Sequence, residues 1–175
     1  MSMLDKIPVG KKAPDEINVI IEVPMGSPDK IEYDEGMEAF VLDRVLYTRM
    51  TYPGNYGMVP QTESGDGDPV DCLVLGDHPI STGLVVAARP VGVLVTEDEG
   101  GEDSKIVAVV KKDPRYDSVK DIKDVNDHTK KEIAHFFEQY KALEPGKWVK
   151  VKGWEDAARA RHILRDGIER FKQEK

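Results

Sequence analysis

Cysteine occurs once in these 175 residues, at Cys72. No disulfide can close within the chain, and a lone Cys in an apolar run reads as a small core residue in a reducing compartment. No basic residue stands beside it in sequence to activate it as a thiolate. A basic excess is missing as well: 25 Lys and Arg face 33 Asp and Glu, a formal net charge of -8. That balance argues against a protein that coats nucleic acid with a basic stripe, and suits one that recruits cations. No apolar run approaches the ~20 residues of a membrane span, and the amino terminus lacks the apolar stretch of a secretory signal. The expectation is a cytoplasmic protein with no membrane and no nucleic-acid partner. Repeats, low-complexity tracts and linkers are absent too, so residues 1–175 read as a single domain, long enough to bury roughly 70% of its extended surface.

Against these absences one stretch stands out, Gly65-Asp66-Gly67-Asp68-Pro69-Val70-Asp71-Cys72-Leu73-Val74-Leu75. Gly65 and Gly67 permit a tight turn, and Pro69 fixes φ where a strand begins. From Val70 the side chains should alternate, with Asp71, Leu73 and Leu75 on one face and Val70, Cys72 and Val74 on the other. Asp71 then stands at the mouth of a packed sheet. Carboxylates this close repel one another unless a cation intervenes, and oxygen donors without His or Cys suit hard ions such as Mg²⁺, Mn²⁺ or Ca²⁺. An acidic, solvated hairpin turn fits the same letters, because Asp and Gly dominate turns. A calcium-binding helix–loop–helix does not fit: its fifth, sixth and twelfth positions would be Val70, Asp71 and Asp77, and Pro69 interrupts the loop.

The rest of the chain punctuates clearly. Met1 to Pro14 is irregular, and Ile17 to Val23 reads as a strand carrying Glu22, a carboxylate that either lies on the exposed polar face of a half-buried strand or serves a site. Lys30 to Asp34 alternates, which places Lys30, Glu32 and Asp34 together. Ala39 to Tyr47 is a further strand in which Arg44 shares a face with Phe40, Leu42 and Leu46. Such an Arg needs either a carboxylate partner or an anionic ligand. Tyr52 to Gly57 reads as a loop whose tyrosines either plug the core or present hydroxyls. Leu84 to Thr96 is apolar but broken at Arg89-Pro90 and Gly92, giving two strands or one bent strand of the kind that closes a barrel. Glu97 to Asp103 is a second acidic turn, leading into a strand from Ser104 to Val110. Then the period changes. Asp127 reads as an N-cap, a helix runs toward Pro145-Gly146 with Tyr140 and Lys141 in its last turn, Lys147 to Lys152 is a short strand, and a last helix carries Ala157, Ala160, Leu164, Ile168 and Phe171. The fold class is α+β, a small barrel with two C-terminal helices packed on it.

The D-G-D-P-V-D-C run at Asp66 is accompanied by V-I-I-E-V-P at Val19, K-I-E-Y at Lys30, Y-P-G-N-Y-G at Tyr52 and R-P-V-G-V-L at Arg89. Further on come G-E-D-S-K at Gly101, K-D-V-N-D at Lys123, H-F-F-E-Q-Y-K at His135 and G-K-W-V-K-V-K-G-W at Gly146. Together, over nearly the whole chain, these resemble the soluble inorganic pyrophosphatases of the metal-dependent, short prokaryotic type. The resemblance implies a closed five-stranded OB-type β-barrel with the site at its open end, and hydrolysis of diphosphate to two phosphates with several Mg²⁺ ions, for which Mn²⁺ or Zn²⁺ are substitutes. By correspondence Asp66, Asp71 and Asp103 hold a first metal, with Asp71 sharing a second. Asp98 and Asp103 go with a third ion and Glu32 with a fourth. Asp68 corresponds to the residue that takes the proton of the attacking water. Lys30, Arg44, Tyr56, Lys105, Tyr140 and Lys141 correspond to phosphate contacts, and Glu22 and Tyr52 to residues supporting them from behind. The resemblance also implies a homohexamer, a dimer of trimers. Bacterial relatives often carry two His one turn apart on the helix of His135, at a contact between subunits; here the second position is Gln139.

That chemistry agrees with the residue types. Diphosphate repels hydroxide until its charge is neutralised, which cations and basic side chains supply. An oligonucleotide-binding barrel is the rival reading of such a fold, disfavoured by the acid excess and the paired acidic turns. A metal-binding scaffold without activity is a third, disfavoured by the presence of Asp68, Arg44 and Lys30.

Overall fold

The computed structural model describes residues 2–175. After a short helix α1 (Met3–Lys6), the chain lays down β1 (Ile17–Val23), β2 (Asp29–Asp34), β3 (Ala39–Val45), β4 (Asn55–Val59) and β5 (Val70–Leu75). It continues with β6 (Val85–Asp98), β7 (Gly101–Val110), α2 (Asp127–Gln139), β8 (Val149–Asp156) and α3 (Ala157–Gln173). Strands β1, β4, β5, β7 and β6 pair in that order, and β6 pairs back to β1, so five strands close a ring. Only β5 and β7 run parallel; the other pairings in the ring are antiparallel. The expected small barrel takes this form, with β8 added on the far part of β6 and β2–β3 forming a separate two-stranded hairpin.

The break in the Leu84–Thr96 run is a bend in one long strand. The first part of β6 pairs with β1 and the part beyond Gly92 pairs with β8, with a register shift between Pro90 and Gly92. Gly92 has no room for a side chain: a Cβ there would lie 2.7 Å from Ile122 Cβ and 2.9 Å from Glu155 O.

Alternation in β5 is as expected, and it organises two core layers. Leu73 and Leu75 join Tyr52, Tyr56, the α2 residues Ile133, Phe136 and Phe137, and Tyr140 just after that helix. Val70, Cys72 and Val74 join Val19, Ile21, Ile106 and the α3 residues Ala160 and Leu164. Each fully buried aliphatic or aromatic side chain of these layers contributes roughly 1.5–3 kcal/mol.

Several expectations need correction. Tyr52–Gly57 is not all loop, because β4 begins at Asn55. Its Gly57 exists for packing, since a Cβ would stand 2.0 Å from the Ile20 carbonyl oxygen on β1. Asn126 caps α2, accepting from the His128 and Thr129 amides, while Asp127 is the first helical residue. Helix α2 stops at Gln139, so Tyr140 caps its end and Lys141 lies just beyond. Strand β8 continues through Trp154 to Asp156, whose side chain caps α3 by accepting from Arg159 N. The face of β3 that carries Arg44 is not uniformly buried, as Leu42 is 58% exposed. A register shift between Lys30 and Ile31 in the hairpin offsets the two strands there.

Candidate active site

Where β4, β5 and β7 meet the β2–β3 hairpin and the end of α2, a cavity of about 410 Å³ opens. Acidic lining comes from Asp66, Asp68, Asp71, Asp103, Glu22 and Glu32; cationic and hydroxyl lining comes from Lys30, Arg44, Lys105, Lys141, Tyr56 and Tyr140. Residues read from separate segments of the sequence thus surround one space. A cavity of about 480 Å³ lies on the other side of Gly67 and Pro69, beside the Lys175–Asp5 ion pair, and lacks such a convergence of both charges.

Lys105 sits at the centre and is 5% exposed. Its ammonium donates to the Tyr56 hydroxyl at 2.8 Å, to Asp103 Oδ2 at 3.1 Å and to Asp71 Oδ2 at 3.4 Å. It also faces the Tyr56 and Phe137 rings, 5.2 Å from each centroid. Burial works against its charge, but the Tyr56 oxygen and the carboxylates of Asp71 and Asp103 outweigh that, and its pKa is raised well above the usual lysine value. Burial, followed by the Asp71 charge, raises the Tyr56 phenol well above its own usual value, so the pair stays ammonium and neutral phenol.

The loop before β5 is shaped by its own side chains. The Ser64 hydroxyl lies 2.5 Å from Asp66 Oδ1 and 2.9 Å from the Asp68 carbonyl oxygen, and Asp68 N donates to Asp66 Oδ1 at 3.0 Å. Asp66 Oδ1 is thereby engaged within the turn, and both Asp66 and Asp68 line the cavity. Partial burial, then the charges of Asp66, Asp71, Glu32 and Asp103, raise the Asp68 carboxyl above its ordinary value.

Glu22 is not on an exposed face. It is 9% exposed and accepts from Tyr33 N at 2.9 Å. Burial, with Asp71 and Glu32 adding to it, pushes its pKa up to about 7. Tyr52 lies behind the cavity, its ring tilted against Tyr56 and Phe136 and its buried hydroxyl without a hydrogen-bond partner. Asp98 does not line the cavity. It ends β6, accepts from Gly100 N at 2.8 Å and stands 3.9 Å from Lys141 Nζ. Lys30 is paired with Glu32. Arg44 has found carboxylate partners, Asp43 through Nη1 and Glu144 at 3.0 Å from Nε.

Sequence reasoning missed Tyr33, Glu35 and Met58 in the lining, and missed Glu144. Alternation within K-I-E-Y-D separates Tyr33 from Lys30 and Glu32, but the register shift and the turn into the cavity are invisible in it. Glu144 lies in a different segment from Arg44, with no local signal joining them.

By donor type the acidic set fits hard divalent cations: it is all oxygen, it is crowded enough to raise Asp68, and it faces one cavity. Among the described residues no three His, Cys, Asp or Glu side chains converge on one point as they stand. Asp71 and Asp103 lean instead on the Lys105 ammonium, so holding an ion jointly with Asp66 requires side-chain rotation.

The family model for inorganic pyrophosphatase matches residues 19–172. The chain belongs to the inorganic pyrophosphatase family. It is 52% identical over 170 residues to the inorganic pyrophosphatase of Saccharolobus solfataricus, covering 96% of this chain and 99% of that one. The Agrobacterium fabrum enzyme is likewise 52% identical over 172 residues, with 97% of each chain covered. The crystal structure of the inorganic pyrophosphatase from Thermus thermophilus superposes with a TM-score of 0.95 at 51% identity, covering 97% of this chain and 98% of that one. The OB-type pyrophosphatase fold expected from the sequence is therefore the fold observed.

Proposed function

We propose that this chain hydrolyses inorganic diphosphate to two phosphates, with Asp68 receiving the proton of the attacking water. The observation that carries this reading is the convergence of Asp66, Asp68, Asp71 and Asp103 with Lys30, Arg44, Lys105 and Lys141 around a single cavity in a chain of this family. Diphosphate is a small, strongly anionic substrate, and a cavity lined only by carboxylates would reject it. Arg44 suits phosphoryl oxygens by fork geometry, and the lysines suit them as point charges. Tyr56 and Tyr140, both neutral phenols, donate O–H groups to the same oxygens.

Asp66, Asp71 and Asp103, with Asp98 and Glu32, would hold several divalent cations, Mg²⁺ with Mn²⁺ or Zn²⁺ as substitutes, which would supply charge neutralisation and lower the pKa of water. The chain's own residues do the rest. Asp68, raised by partial burial and then by its acidic neighbours, is a better base than an isolated Asp. As the water oxygen bonds to phosphorus and the bridging P–O bond breaks, its proton passes to the Asp68 carboxylate. The leaving phosphate stays neutralised by the basic groups around it, and positioning and electrostatics suffice without a covalent intermediate.

Phosphate release from diphosphate, measured by malachite green, is expected with Mg²⁺ and lost with chelator. Purified protein that is inert with both Mg²⁺ and Mn²⁺ overturns the reading. Binding of labelled oligonucleotide on filters at low salt, with no diphosphate hydrolysis, would favour the rival barrel function.

A homohexamer, arranged as a dimer of trimers in the cytoplasm, belongs to the same reading. It is supported by exposed apolar side chains on and near the hairpin, Leu42, Val45, Tyr47, Leu84 and Val85. Sedimentation velocity on the purified chain tests it, and a monomer at micromolar concentration counts against it. No helix among the described residues is long and apolar enough to cross a membrane.

A further inference from the structure

Arg44 is gripped from two sides by carboxylates of different character. Asp43, its chain neighbour, meets Nη1 from a side chain that is 38% exposed. Glu144, from the segment after α2, brings Oε1 to 3.0 Å from Nε with a side chain only 10% exposed. Glu144 Oε2 is buried with no partner, and Arg44 Nε is buried without an aligned hydrogen bond. The backbone around Glu144 is a compact turn, with Ala142 N donating to Gln139 O and Glu144 N to Lys141 O, both at 2.9 Å. The far end of that segment is tied to the second acidic turn, where Lys147 Nζ lies 3.2 Å from Glu99 Oε1. The loop carrying Lys141 is thus anchored to the acidic turn at one end and to the β2–β3 hairpin by Glu144.

A carboxylate exposed at a cavity rim contributes little through an ion pair. One that is nine-tenths covered and half unsatisfied is costly, and only a close cationic partner offsets that cost. Arg44 is that partner. A guanidinium recognises a phosphoryl group by presenting a rigid planar fork, which works only when the plane is held. A contact at Nε fixes the plane from behind and leaves the terminal nitrogens for a ligand. Asp43 occupies one of those terminal nitrogens from the solvent side, where a multiply charged anion can replace it.

We propose that Glu144 is a positioning residue for diphosphate: its buried carboxylate orients the Arg44 guanidinium from the Nε side, and Asp43 is the partner that substrate displaces. The inference rests on the diphosphatase reading above. Since backbone bonds build the Glu144 turn, changing its side chain leaves the loop's own hydrogen bonds in place.

The test is steady-state hydrolysis of diphosphate with Mg²⁺, together with calorimetric binding of imidodiphosphate, for Glu144→Ala, the near-isosteric Glu144→Gln, Asp43→Asn, Arg44→Ala and the Arg44→Ala/Glu144→Ala double variant. Glu144→Ala should raise KM about tenfold and weaken imidodiphosphate binding alike, with kcat changed less than about threefold. Glu144→Gln should fall between it and the wild type, because the amide oxygen keeps a dipolar contact at Nε but loses the charge of the ion pair. Asp43→Asn should change KM by less than Glu144→Ala does. In the Arg44→Ala background the Glu144 substitution should add less than about twofold. Wild-type KM in Glu144→Ala, a larger effect from Asp43→Asn, or the same loss with and without Arg44 overturns the inference while leaving the diphosphatase reading intact. A wild-type protein that neither binds imidodiphosphate nor hydrolyses diphosphate takes both down.

Discussion

The Lys105 ammonium donates to the Tyr56 hydroxyl at 2.8 Å, joining β7 to β4 from inside the fold. With Asp71 and Asp103 on its other sides, this lysine is the positive centre of an otherwise acidic cluster. Lys105→Met should therefore destabilise the protein in chelator by about 1–3 kcal/mol, below the full cost of breaking a buried pair, since both carboxylates are about a third exposed. Urea unfolding in chelator measures this, and an unchanged midpoint would show that Lys105 does not compensate the two carboxylates.

Asp68 offers a cleaner separation of fold from function. Partial burial and then its acidic neighbours disfavour its charge, so removing that charge costs the fold nothing. Asp68→Asn should keep or slightly raise the melting temperature in chelator while lowering kcat roughly 10²–10⁴-fold, the usual range for a lost general base. Turnover within a few-fold of wild type would remove Asp68 from the proton-accepting role.

Gly57 tests the ring itself. A Cβ there meets the Ile20 carbonyl oxygen at 2.0 Å, backbone against backbone, so neither strand can yield cheaply. Gly57→Ala should lose more than about 3 kcal/mol, well above the typical point substitution, whereas Gly65→Ala, with open space around it, should lose far less. Thermal unfolding of the two variants side by side decides it, and equal losses would mean that β1 and β4 do not cross this closely.

Much of this was readable in advance because the signals were contiguous. The acidic run at Asp66–Asp71 precedes a strand whose alternation survives intact in the two core layers, so both the strand and the carboxylate at its mouth were legible. Asn55–Gly57 was not, because a glycine required by a neighbouring strand is spelled the same as one required by a turn. Glu22 was half legible: the strand was plain, but its burial depends on Tyr33, which a separate segment brings over it. Arg44 announced its need for a partner, while the identity of that partner as Glu144 depends on how the hairpin packs against the segment after α2, which no local pattern records.

Glu22 contributes a pH dependence of its own. Its folded pKa of about 7 lies above the ordinary glutamate value of 4.5, so the folded chain holds this proton more tightly than the unfolded chain. Below pH 4.5 both states are protonated and the residue costs nothing. As pH rises from 4.5 to about 7 the unfolded state gains by ionising first, and stability falls. Above that the cost is complete, roughly 3 kcal/mol. Glu22→Gln keeps an acceptor for Tyr33 N and cannot ionise, so it should be more stable than wild type at pH 8 in chelator, with the advantage shrinking as pH drops toward 5. A urea-midpoint difference that stays constant across this range would mean that the Glu22 carboxyl titrates as it does in the unfolded chain.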